Sequence, residues 1–431
     1  MNVRQKFKSA IKRGTGESHL LIKNNPTVDF SNDIIKASLT NFAYDNQSEG
    51  SRTVYISELI SLSRQQDKIR KAIMKGLATE RKDDWALNQL FYLTAAFAKK
   101  GDKEAKNAIY KWHSKINHIK YFEGTGDHAI IELDGIEGLK YIIEAKGKIL
   151  INDKEAWEDS ILVDNFQKNN PKLKVYKELE TAGKKNKYIK IYLDTIRSDK
   201  FKRPKQKRQK YNYKVVAEKI DNKEISPLPL PPLYAKDLSK IDVKKLAEDF
   251  LKATNRQRQE KYLRVFDKVK FPYNYHPILK LAQSKYNNKD RLIEFASGSL
   301  KYFSGSDIRQ FAIKKLRTAK NPWTYLDLLV SNYKFGDSRL LTSIVNKYDN
   351  PDSIHSFVWG YINIYTANKT KECAQPLTAI YNRLTCGLHR KDIVKIMLDN
   401  KVLPDRIKKE IPFDSNEEIR KLYKDRLKNG L

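Results

Sequence analysis

Helix punctuation recurs throughout this chain, with successive pairs about 30 residues apart, while the alternation that marks β-strands is almost absent. In SDIRQF and GDSRLL, Arg309 and Arg339 stand 30 residues apart, each just inside the second helix of a pair. A helix pair of this length cannot bury its apolar face alone and does so only by stacking on its neighbours. The predicted fold is therefore all-α, an α-solenoid of antiparallel helix pairs. Its 431 residues also exceed what one compact core of ordinary size holds.

Individual segments carry start and stop signals. Ser31-Asn32-Asp33 precedes Ile34, Ile35, Leu39 and Phe42 at helical spacing, and Val54 to Leu77 reads as a longer, broken helix. Asp83 or Asp84 is placed to cap a helix carrying Trp85, Leu87, Leu90 and Phe91. Lys99-Lys100 and Gly101 end it, and Asp102 opens the next helix with Ala105, Ala108, Ile109 and Trp112 on one stripe. Asp134 is expected to cap a third helix with Glu137 as its capping-box partner and Gly147 as its stop, the preceding His128 to Leu133 being open to a short strand.

Composition changes between Lys168 and Lys214, where 14 Lys and 3 Arg face 4 acids, a net +13. Its densest part, RSDKFKRPKQKRQKYNYK, has no apolar periodicity and reads as an exposed basic loop. The run ISPLPLPPLY follows, with Pro227, Pro229, Pro231 and Pro232 excluding helix and favouring an extended strap. The expected organisation is a helical-repeat domain over 1–196, a basic and proline-rich linker over 197–234, and a second helical-repeat domain over 235–431.

The charge points to partners. With 84 Lys and Arg against 52 Asp and Glu, the net charge of +32 creates a field that attracts polyanions and makes their binding salt-dependent. Against that reading, 63 of the cations are Lys spread along helices, the ordinary composition of a solvated face. The basic loop is the best nucleic-acid candidate: Arg197, Lys202, Arg203, Lys205, Lys207, Arg208 and Lys210 suit phosphates, and Tyr211 and Tyr213 suit stacked bases. A protein partner is expected on the solenoid surface. No segment approaches the roughly 18 apolar residues of a bilayer span, the basic N-terminus lacks an apolar signal core, and two cysteines suit a reducing compartment, so a cytoplasmic location without membrane contact is expected.

SDIRQFAIKKL from Ser306 and SNEEIRKLYKDRL from Ser415 resemble the second helix of HEAT-type repeats. The resemblance implies that Asp307 caps its helix, and that Arg309, like Arg420 beside Glu418, bonds the neighbouring repeat's turn. It extends as helix-pair texture over about two thirds of the chain and is weakest over 148–234.

Chemistry-bearing motifs are sparse. Cys386-Gly-Leu-His389 with Cys373 offers too few ligands for a structural zinc site, so no metal is expected. His113, His118 and His128 lie near Glu132, Asp134 and Glu137, but the five-residue step between the first two separates their faces. Gly14-Thr-Gly16 and Gly124-Thr-Gly126 are too short to cradle phosphate, and no motif implies a cofactor. One enzyme reading survives: Trp323 and Asp327 at four-residue spacing, with Arg339 on the adjoining repeat, look similar to the Trp and Asp that HEAT-like alkylpurine DNA glycosylases place on a basic concave surface. The expected function is a non-enzymatic binding scaffold, with that nucleic-acid-processing enzyme as the alternative.

Overall fold

The computed structural model describes residues 2–117, 119–200, 209–222, 234–285 and 291–428. All regular secondary structure among them is helical, and no helix among them is long and apolar enough to cross a membrane. The chain divides into two compact units, one of residues 1–207 with 409–431 and one of residues 208–408. The first division falls within the predicted linker. The second has no counterpart in the predicted boundaries, which keep the C-terminal residues with the second half.

In the first unit, side-chain caps set the helix starts. Asn2 and Gln5 form a reciprocal capping box on Val3–Arg13, and Asp83 and Asp102 accept from Ala86 N and Ala105 N as the sequence predicts. The segment Val54 to Leu77 is indeed broken, into Thr53–Leu62 and Gln66–Thr79. The apolar stripes meet in one core in which Phe7, Ile34, Leu59, Ile73, Phe91 and Leu139 are wholly buried, each contributing on the order of 1.5–3 kcal/mol by leaving water.

The third helix departs from expectation. Two helical stretches joined at Gly135 span Asp127 to Asn152 and include His128–Leu133, so the short strand does not form. Gly135 absorbs a kink at φ 58°, ψ −125°. The Asp134 carboxylate caps nothing. It receives Lys106 and the Tyr110 hydroxyl from the preceding helix. Gly147 is likewise no stop: a Cβ there would sit 2.1 Å from the Tyr188 carbonyl oxygen, so its bare backbone lets Lys187–Lys200 pack against this helix.

Residues 409–431 belong to this unit through specific contacts. Arg420 donates two hydrogen bonds to the Glu58 carboxylate at 2.8 and 2.9 Å, and Ser415 N donates to Gly14 O at 2.8 Å. The Phe413 ring stacks on buried His19 at 5.3 Å and also carries the Lys23 ammonium at 4.6 Å. Burial drives the His19 pKa down to about 4, outweighing the opposing pull of Glu58, with Arg420 adding to the depression.

In the second unit, successive elements pack on the next one and the one after it: Leu292–Leu300 touches both Arg256–Phe266 and His276–Ala282, and the 3₁₀ segment Pro322–Leu329 touches Leu292–Leu300, Ser306–Thr318 and Pro351–Ala367. Phe250, Phe266 and Phe271 meet edge to face at 4.9–5.8 Å in its core. Asp307 is not the cap of Ser306–Thr318; Gly305 holds that position, and Asp307 accepts from the Tyr275 hydroxyl instead. Arg309 reaches Asn332 O at 2.6 Å and both oxygens of Asp337 at 2.7 Å, a clamp from Ser306–Thr318 to the start of Asp337–Val345.

Candidate functional site

Of the nine residues expected to contact nucleic acid, Lys202, Arg203, Lys205, Lys207 and Arg208 lie outside the described residues. Arg197 is paired with Glu180 and Lys210 is exposed. The two tyrosines serve packing. Tyr211 is 8% exposed and meets Tyr234 edge-on, which removes it as a stacking platform. Tyr213 donates its hydroxyl to Asp249 at 2.8 Å, and its backbone N–H donates to Asp242. The proline strap lies outside the described residues apart from its flank at Tyr234, which is buried.

Trp323 and Asp327 do come together, on the walls of a cleft of about 550 Å³ in the second unit that is also lined by Lys268, Lys301 and Trp359. A 3₁₀ segment rather than an α-helix presents them. The Trp323 ring packs edge-on against Tyr348 at 5.7 Å and stacks on Phe357 at 6.4 Å, while Asp327 accepts from the Asn363 amide at 3.2 Å. In the same cleft, Asp267 pairs with Lys268 at 2.7 Å and Lys301 at 2.9 Å. Burial alone would raise the Asp267 carboxyl, but the two ammonium groups outweigh it and hold it below the usual carboxylate range. Arg339 does not line this cleft. The expected triad is thus reduced to two residues, joined by an ion-paired floor that no local spacing announces.

The histidine-acid grouping resolves into a structural network. His113, 1% exposed, bonds Asp127 at 2.9 Å and the Tyr141 hydroxyl at 3.2 Å, and Lys146 spans Asp127 and Glu158 at 3.7 and 2.6 Å. Burial works against ionisation of Asp127, yet the His113 hydrogen bond and Lys146 keep its carboxyl below the usual range. Asp127, Lys146 and Glu158 each meet an oppositely charged or hydrogen-bonding partner, as buried ionic side chains require. His118 lies outside the described residues.

The two cysteines part company. Cys373 is fully buried, and burial pushes its thiol up to about 11, so it stays protonated. Cys386 instead adjoins His389 and His355, with one ligand atom of each lying within 4.8 Å of the others. His355 is not among the sequence candidates because it stands on another helix. No local spacing announces it, since 355 and 386 are 31 residues apart.

No family model matches this chain, and no curated protein matches it. Among solved structures, a crystal structure of an engineered protein is similar over 100% of this chain and 99% of that chain, at 14% identity and a TM-score of 0.20, a likeness too slight to carry an argument.

Proposed function

We propose that the chain is a non-enzymatic scaffold, an α-solenoid of stacked antiparallel helix pairs of HEAT-like character, which holds a polyanionic partner, nucleic acid or an acidic protein, on its basic surface. The observation that carries this reading is the division of labour among charges. Several acidic side chains are engaged within the fold: Asp83 and Asp102 cap helices, Asp134, Asp267 and Asp337 tie neighbouring helices, and Glu58 holds Arg420. The second unit has 38 Lys and Arg against 20 Asp and Glu, so cations outnumber acids nearly two to one and leave a net +18. Such an excess attracts polyanions at long range.

Repetitive stacking is supported by the spacing of the polar bridges. Arg70 to Asp102, Lys106 to Asp134, Tyr302 to Asp267 O and Arg309 to Asp337 link residues 32, 28, 35 and 28 positions apart. These separations, in both units, lie near the pitch read from the sequence.

The test is an anisotropy titration of the full chain with single- and double-stranded DNA and RNA at two salt concentrations. A variant with Lys202, Arg203, Lys205, Lys207, Arg208 and Lys210 changed to Gln serves as the comparison. Expected are binding at low salt and, in the variant, a salt slope shallower by about 0.7–0.9 for each phosphate no longer neutralised. Absence of binding at low salt refutes the nucleic-acid form of the proposal, and unaltered binding by the variant assigns the phosphate-binding cations to another part of the surface.

A second reading, base excision on damaged nucleic acid, keeps one supporting observation, the shared cleft of Trp323 and Asp327 beside Lys268 and Lys301. Excision by the wild type that Asp327→Ala abolishes would favour it; an inactive wild type removes it.

A further inference from the structure

We propose that His355, Cys386 and His389 form a binding site for a single zinc ion, with water in the fourth position. The three residues come from two helices of the second unit. His355 lies in the second turn of Pro351–Ala367, Cys386 is the N-cap residue of Gly387–Asp399, and His389 is in that helix's first turn. A Cys-x-x-His step across a helix start puts sulfur and imidazole on one side of the turn, and the helix carrying His355 packs directly against it.

The distances suit a metal. One ligand atom from each residue lies within 4.8 Å of the other two. Bonds of about 2.0 Å to nitrogen and 2.3 Å to sulfur place tetrahedral ligands about 3.3–3.5 Å apart, so the site closes by side-chain shifts of roughly an ångström. The ligand set also selects among metals: a thiolate with two imidazoles is too soft for magnesium or calcium and matches zinc. Cys386 and His389 are buried and His355 is partly exposed, which gives the ion a route in and leaves room for one water. On binding, the Cys386 thiol releases its proton to solvent and both imidazoles bind as neutral bases, leaving a site of net charge +1.

The surroundings already orient the ligands. The His355 and His389 rings meet edge to face at 4.6 Å, and Trp359, one turn beyond His355, meets His389 edge-on at 4.8 Å. Trp359 also lines the 550 Å³ cleft, so the ion would lie one side chain from it. Three protein ligands and an open position are the pattern of sites that exchange their fourth ligand, whereas a purely structural site closes with four.

The experiment uses the full chain, stripped with a chelator and dialysed. Zinc chloride is titrated in competition with a chromophoric chelator, and cobalt chloride is added separately to read the ligand field. Expected are one zinc per chain, a thiolate-to-cobalt charge-transfer band with tetrahedral d–d absorption, and quenching of Trp359 emission by cobalt that Trp359→Phe removes. Cys386→Ser and His389→Ala, each checked by circular dichroism for retained helix, should weaken zinc binding by more than about 100-fold, beyond the 10–100-fold that removing a supporting hydrogen bond costs. Cys373→Ser should leave binding intact. Failure of the folded wild type to take up one equivalent, or a charge-transfer band that survives in Cys386→Ser, overturns the proposal. Neither result touches the polyanion reading, which rests on other residues.

Discussion

Replacing Arg309 by Ala tests the stacking of the second unit at a single clamp. The guanidinium makes two charge-assisted hydrogen bonds to Asp337 and a third to Asn332 O, and the Asp337 side chain is 8% exposed against 20% for Arg309. Bonds to charged groups contribute about 1.5–3 kcal/mol each, and breaking a buried pair costs about 3–5 kcal/mol because one charge is stranded. Asp337 keeps the Lys334 backbone N–H at 2.8 Å, and water reaches the Arg309 side, so the loss belongs at the lower end, about 3 kcal/mol. Native-state hydrogen exchange reads this locally, where a global melt of two units would blur it. Amides of Ser306–Thr318 and Asp337–Val345 should exchange about 100-fold faster at about 1.4 kcal/mol per tenfold, while those of Asp84–Ala98 in the other unit stay unchanged. Arg309→Lys should recover about half, since an ammonium cannot pair bidentately. In Arg309→Ala, Asp337→Ala the effects should fall short of additive by about 2 kcal/mol. Additive effects, or a loss below about 1 kcal/mol for Arg309→Ala, would refute the clamp.

Two further perturbations act on the first unit. Gly147→Ala drives a methyl group into the Tyr188 carbonyl, which belongs to backbone and cannot rotate away, so a loss of about 2–3 kcal/mol and a Tm lower by about 5–10 °C are expected; an unchanged Tm would mean the two helices are not held at this distance. His19 makes stability pH-dependent. Its native pKa of about 4 lies below the ordinary 6.5, so the unfolded chain binds the extra proton first, and stability falls as pH drops from about 6.5 to 4. At about 1.36 kcal/mol per pH unit the full loss is about 3 kcal/mol, and His19→Gln should flatten the denaturation midpoint over that window. A slope identical in the variant would assign the effect elsewhere.

Legibility in the sequence follows the range of the forces. Helix starts set by one side chain and a backbone N–H three residues on, as at Asp83 and Asp102, can be read directly because both partners are local. Asp134 and Gly147 carry the same local signals and serve other ends. Their partners, Lys106, Tyr110 and the Tyr188 carbonyl, stand 24 to 41 positions away, and tertiary contact overrides capping preference. Of the cleft, Trp323 and Asp327 are visible as a pair, but the ion-paired floor is not. Lys301 stands 34 positions from Asp267, and the two meet only once their helices stack.

Apolar periodicity, capping chemistry and net charge are sums over local residues, so the all-helical class and the net positive charge follow from the order of the amino acids with no structure in hand. Which turns face each other does not follow from it. Packing returns residues 409–431 to the first unit through Arg420 and Glu58, 362 positions apart. It separates Cys373 from Cys386 and gives the latter His355 as a neighbour. Burial and proximity are properties of packed surfaces, and packing alone brings residues far apart in the sequence within reach of one another.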